Sequence, residues 1–118
     1  MNSLIEKIFA DFKVDNKKIP VSFLQYTGEE TTYITYQNIN ISGTLAGDDD
    51  ILGYIDYYDF DIYSKNNYFA IVRELKKVLK NNGFTWQPSM SSSDMFEKDT
   101  GFYHKTLCFA IEKMESEE

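Results

Sequence analysis

Tyr57-Tyr58-Asp59-Phe60-Asp61-Ile62-Tyr63-Ser64-Lys65, together with the chain from there to Ala110, decides the fold. Tyr58, Phe60 and Ile62 fall on one row of alternate residues. Tyr57, Asp59, Asp61 and Tyr63 fall on the other. That period of two predicts a strand over residues 54–63 with the first row on a core. The period then changes. Tyr68, Ile71, Val72, Leu75, Val78 and Leu79 recur at helical spacing over residues 67–81, the stripe with which a helix covers a sheet. Lysines near the end of that helix complement its dipole, and Gly83 is a suitable stop. Phe84-Thr85-Trp86 opens another strand, and Asp99-Thr100-Gly101 makes a turn. A last strand spans residues 102–111, with Tyr103, Lys105, Leu107, Phe109 and Ile111 on one row. Strands on both sides of a helix give a compact α+β unit.

Towards the N-terminus, Leu4, Ile5, Ile8, Phe9 and Phe12 recur at helical spacing, and Ser3 can cap a short helix over residues 2–13. Residues 14–20 read as a polar linker, in which Pro20 biases Ile19 towards an extended backbone. Strands are expected over residues 21–26 and 31–42, with a turn at Thr27-Gly28-Glu29-Glu30 between them. The alternation of the second strand is imperfect, as a bulge or register change would make it. Residues 43–50, with two glycines and three aspartates, read as a mobile loop or hairpin tip. Residues 88–94, with four serines, read as a flexible segment or long hairpin loop, and Met95-Phe96-Glu97 as a continuation of the strand begun at Phe84. The acidic tail is expected to fray.

A chain of 118 residues is one domain by size, residues 1–118, and long enough to bury a core. Its hydrophobic content of 42% argues against disorder. Nine Tyr and nine Phe suit a sheet and, equally, an interface. The net charge of −7 is wrong for gripping phosphates of nucleic acid or an anionic membrane surface. No segment approaches the roughly 20 apolar residues of a membrane span, and no signal run opens the chain. Cys108 is the one cysteine, so no disulfide forms within the chain. Its place in Leu107-Cys108-Phe109-Ala110-Ile111 suits a small buried hydrophobe.

The chemistry-bearing residues point away from catalysis. Asp48-Asp49-Asp50 lacks the alternate carboxylates, glycine and distant Glu of a calcium loop, so it reads as a solvated acidic loop. Asp59 and Asp61 could in principle share acid–base work, but at i and i+2 on a polar strand row they read as solvated or as facing a neighbouring subunit. His104 is the one histidine, too far along a strand from Cys108 to activate it there, and the two cannot make a zinc site by themselves. The chain has no phosphate-binding glycine loop, dinucleotide fingerprint or nucleophile elbow. Lys76, Lys77 and Lys80 read as solvated or as touching an acidic partner, and Trp86 as a core or interface anchor.

Asp61-Ile62-Tyr63-Ser64-Lys65, Asn81-Asn82-Gly83-Phe84 and Asp99-Thr100-Gly101-Phe102-Tyr103-His104-Lys105, in that order and spacing, resemble the small tail-terminator (head–tail joining, tail-completion) proteins of long-tailed phages and prophages. The match is clearest over the C-terminal half, and the earlier elements agree in order. The resemblance implies a mainly antiparallel sheet with helices packed on one face. It implies a non-enzymatic protein of the virion tail, made in the bacterial host cytoplasm. Its partners would be copies of itself in a ring, typically of six, together with the tail tube and a head-completion or connector protein. The ring would end tube polymerisation and offer a surface for the head. DNA would slide through it unbound, and an acidic lumen suits that. No cofactor, metal or catalytic residue is implied. The interface candidates are Asp48, Asp49, Asp50, Tyr57, Asp59, Asp61, Tyr63 and Trp86, with loops 43–50 and 87–98 as contacts that order on assembly. Two other classes remain open: a small acidic binding or regulatory module of a bacterial cell, and an enzyme built on His104 or the Asp59/Asp61 pair.

Overall fold

The computed structural model describes residues 2–47 and 50–114. In chain order the elements are α1 (Asn2–Ile8), β1 (Lys13–Val14), β2 (Lys17–Lys18), β3 (Val21–Phe23), β4 (Tyr33–Gly47), β5 (Asp50–Ser64), α2 (Phe69–Asn81), β6 (Thr85–Trp86), a 3₁₀ turn (Pro88–Met90), β7 (Met95–Glu97) and β8 (Phe102–Met114). The main sheet runs β3-β4-β5-β8-β6, and β7 pairs with β8 further along the edge that β6 occupies. Its pairings are antiparallel apart from β3 with β4. The fold is α+β, with a mainly antiparallel sheet.

Alternation on β5 and β8 builds the core as expected. Tyr36, Phe60 and Leu107 stand in register across three strands, as do Ile34, Ile62 and Lys105. Phe60 is fully buried, and its ring meets those of Phe9, Tyr36 and Phe109 at 5.9, 5.8 and 5.7 Å. Ile71, Leu75 and Leu79 from α2 and Ile5 from α1 join the same cluster, so both helices cover this one face. Removing a side chain of this size from water contributes about 1.5–3 kcal/mol.

Several boundaries differ from the sequence reading. Residues 14–20 are not a plain linker: β1 and β2 form a two-residue hairpin around Asp15 (φ 54°) and Asn16 (φ 65°). Positive φ at both central positions is the turn whose twist matches paired strands. β3 stops at Phe23 because Leu24 takes φ 67° and donates its N–H to the Tyr36 carbonyl. The first helix closes at Ile8 and not near residue 13. Residues 43–47 are strand and not loop, since Gly47 pairs with Asp50 and the ladder continues to Tyr33. The expected irregularity lies between Ile39 and Ser42, with a second shift between Leu45 and Ala46. Asp48 and Asp49 lie outside the described residues.

The serine-rich segment is also ordered. Ser91 Oγ accepts the Cys108 N–H at 3.0 Å, Ser92 Oγ accepts the Thr106 N–H at 2.9 Å, and the Ser92 N–H donates to the Thr106 carbonyl at 2.9 Å. Serine hydroxyls thus occupy the edge of β8 between β6 and β7, where an unpaired strand would expose its backbone.

Candidate functional site

The face of the sheet turned away from the helices carries the chain's titratable cluster. Register sets its rows: Tyr33 with Tyr63 and His104, Thr35 with Asp61 and Thr106, Gln37 with Asp59 and Cys108, and Ile39 with Tyr57 and Ala110. The sequence blocks around residues 61–65 and 99–105 therefore meet as cross-strand neighbours. Asp61 Oδ1 accepts the Thr106 hydroxyl at 2.5 Å and lies 3.2 Å from His104 Nε2. The other imidazole nitrogen lies 4.0 Å from Glu97 Oε2. The His104 ring stacks on Tyr63 at 4.3 Å, and the stack continues through Tyr33 (5.0 Å) to Tyr26 (4.6 Å). Phe102 stands edge-on to Tyr33 and Tyr63, with the Lys65 ammonium 5.1 Å above its ring.

The electrostatics of this face do not prepare a nucleophile. Burial, then the Asp61 charge, raises the Tyr63 hydroxyl; burial, then the Glu97 charge, raises that of Tyr33. Both phenols stay protonated at neutral pH. Burial, reinforced by the Asp59 charge and its hydrogen bond, pushes the Cys108 thiol up to about 11. Asp59 is itself raised, by burial first and the Asp61 charge second, and its Oδ1 is buried without a hydrogen-bond partner. Among the described residues no three His, Cys, Asp or Glu side chains come together as a set that could hold a metal ion.

Of the interface candidates, Asp61 and Tyr63 belong to the His104 cluster, and Asp59 lies one row further along the strand. Both aspartates are half-buried. Tyr57 borders a groove with Gly83, Thr85 and Gln87 at the β6 edge. Asp50 begins β5 nine residues from Asp59, about 30 Å along an extended strand, and so lies away from this cluster. Trp86 faces the helix side. Its indole N–H donates to Ser91 Oγ at 3.1 Å, and the Lys76 ammonium sits 3.5 Å from its ring centroid. Lys76 thus closes on the chain's own tryptophan.

A second surface, at the sheet edge, escapes the sequence reading. Phe69, Tyr103 and Phe96 are exposed and run beside the buried Tyr68, with successive ring separations of 5.9, 6.3 and 4.8 Å. The Tyr68 hydroxyl donates to Asp94, which also accepts Lys105 Nζ at 3.3 Å. These partners hold the Asp94 carboxyl below its usual range, and burial with the Asp94 contact raises the Tyr68 phenol. At the opposite edge Phe23 and Leu24 are exposed. Phe69 lies off the apolar stripe of α2, and Met95-Phe96 is an apolar pair in an otherwise polar stretch; those were the available signals. Among the described residues no helix is long and apolar enough to cross a membrane. No protein-family model matches the chain, and no curated protein matches it at a significant level.

Proposed function

We propose that this chain is a structural assembly protein of a phage or prophage tail, a tail terminator. It caps the tail tube as a ring of its own copies, ends tube growth and presents the surface on which the head docks. One observation carries the reading on the structural side: the sheet ends on both sides in short strands flanked by exposed apolar side chains, Phe23 and Leu24 at β3, Met95 and Phe96 at β7. Exposed strand edges of this kind are suppressed in monomers and used in assemblies. The residues that carry the family resemblance add support. The 61–65 and 99–105 blocks lock together through Asp61, Tyr63 and His104, and Gly83 and Gly101 take φ 91° and 78°. They therefore read as scaffold residues, in keeping with a family without a catalytic centre. The place of action is the virion tail, with assembly in the host cytoplasm.

The test is electron microscopy of the purified protein added to capless tail tubes of a matching phage. Rings at one tube end and a fixed tube length are expected. Bare tubes that continue to grow would overturn the proposal. A cavity of about 320 Å³ bounded by Asn67, Tyr68, Phe69, Asp94 and Tyr103 favours the second reading, a small binding module. In that case a ligand screen on the monomer gives saturable binding abolished by Phe69→Asp.

A further inference from the structure

We infer that β3 of one copy of this chain pairs antiparallel with β7 of the next, with Phe23 opposite Phe96, so that one sheet continues from copy to copy with all helices on the same side. Four independent features of the two edges fit each other. The first is strand direction. β3 runs parallel to β4, β5 opposes both, β8 opposes β5, and β7 opposes β8. β3 and β7 therefore run in opposite directions within one copy. A second copy set beside the first in the same orientation brings them together antiparallel, without inversion.

The second feature is the face. Phe23 is in register with Tyr36, and Phe96 with Tyr103. Tyr36 and Tyr103 both belong to the helix-side rows, so Phe23 and Phe96 project on the same side of a continuing sheet. The third is apolar exposure. Phe23 and Leu24 are 45% and 59% exposed, Met95 and Phe96 40% and 53%. Placing Phe23 opposite Phe96 covers both rings, with Tyr103 and Phe69 as the neighbouring shelf, and brings the turn at Leu24, just past the end of β3, to the Met95 end of β7. Leu24 also holds φ 67°, an unfavourable backbone for a leucine that leaves its side chain in water. The fourth is charge. The exposed Lys17 and Lys18 lead into β3, and this antiparallel register turns them towards the C-terminal end of β7, where Glu97 and Asp99 stand against Lys98.

This register has a geometric consequence. Within one copy Phe23 is level with Leu107, and Phe96 with Tyr103. The joint therefore staggers each copy four residues along the strands, about 13 Å. A regular stagger is what a sheet of tilted strands needs in order to close. The contact is head-to-tail, so it generates a ring where the rotation closes and a filament where it does not. Only the closed ring rests on the terminator proposal.

Phe23→Cys and Phe96→Cys are made as separate variants, with circular dichroism confirming the native fold and wild-type protein controlling for the buried Cys108. Each is oxidised alone and in an equimolar mixture, free and on capless tail tubes. The expected result is a disulfide-linked dimer in the mixture and none from either variant alone, while the double variant gives a ladder of larger species. Phe96→Cys dimerising by itself would show a two-fold contact and overturn the inference, as would Phe23→Cys dimerising by itself or a mixture that stays monomeric in both settings. Wild-type rings on tubes without cross-linking in the mixture sink this joint and leave the terminator reading intact. A ladder from the double variant with bare tubes keeps the joint and sinks the terminator.

Discussion

Asp61 Oδ1 holds His104 Nε2 at 3.2 Å and the Thr106 hydroxyl at 2.5 Å, so one carboxylate oxygen ties two residues of β8 to β5. The group is half-buried, and both partners lose their acceptor if it is removed. Asp61→Ala is expected to destabilise the fold by about 1–3 kcal/mol, the cost of leaving partly buried polar groups unpaired. Chemical denaturation measures this. A double-mutant cycle of Asp61→Ala with Thr106→Val should show coupling of at least about 0.5 kcal/mol, as residues sharing a hydrogen bond do; strict additivity would mean that the two side chains act independently.

Phe60 and Leu75 stand at the centre of the packing between the sheet and its helices, both fully buried. Truncation to Ala should cost about 2–5 kcal/mol at either site, from lost transfer energy and the cavity left behind. A loss under about 1 kcal/mol at either position would contradict a core centred on these two side chains. Phe69→Ala, on the exposed edge of the same layer, should change stability by less than about 0.5 kcal/mol.

The core was legible in the sequence because β5 and α2 each bury one regular row, and a row of apolar residues carries its own period, while β8 buries the unbroken apolar run Leu107 to Ile111. Residues 43–47 were not, because Gly43, Thr44, Ala46 and Gly47 enter the sheet through backbone pairing with β5 and have few side chains that announce a strand. The β1–β2 hairpin hid for a similar reason: its strands are two residues each and rich in lysine, and only the Asp15-Asn16 pair signalled the turn. The His104 cluster and the two edges were the least legible. They depend on which strands become neighbours, and Tyr63, Glu97 and His104 are brought together by pairings that span 41 positions between Tyr63 and His104 alone. A single alternate row in the sequence says that Asp61 shares a face with Tyr63; it does not say which row lies beside it.

Asp94 gives stability a defined pH dependence. The Tyr68 hydroxyl and the Lys105 ammonium hold its folded-state carboxyl below the ordinary value of 3.8. The contribution is then complete above the unfolded value and lost as pH falls through the lower folded one. Asp94→Ala should cost about 1 kcal/mol at neutral pH, a modest figure because the carboxylate is largely exposed. The gap between wild type and variant should narrow as pH drops below 3.8. Asp59 works in the opposite sense: its folded carboxyl is raised, so its ionisation opposes folding above that raised value and the opposition is relieved on acidification. Thermal melts of wild type and Asp94→Ala across this range measure the first effect, and a gap that widens on acidification would refute it.

Ser91 is the hinge of the β8 edge. Its hydroxyl donates to the Gln87 carbonyl at 2.8 Å and accepts both the Cys108 N–H and the Trp86 indole N–H. One small side chain therefore serves the backbone of a buried strand residue, a turn carbonyl and the tryptophan on which Lys76 rests. Replacing it with Ala leaves the Cys108 amide without this partner in a place where water has poor access. The expected loss is about 1–3 kcal/mol, with increased solvent access at Trp86 visible as a shift in its fluorescence. Ser93→Ala, two residues further on and exposed, should fall within about 0.5 kcal/mol of wild type. Equal, negligible effects at both serines would mean that the segment is the flexible loop its composition suggests; a selective loss at Ser91 means that side-chain hydroxyls hold the edge where no strand does.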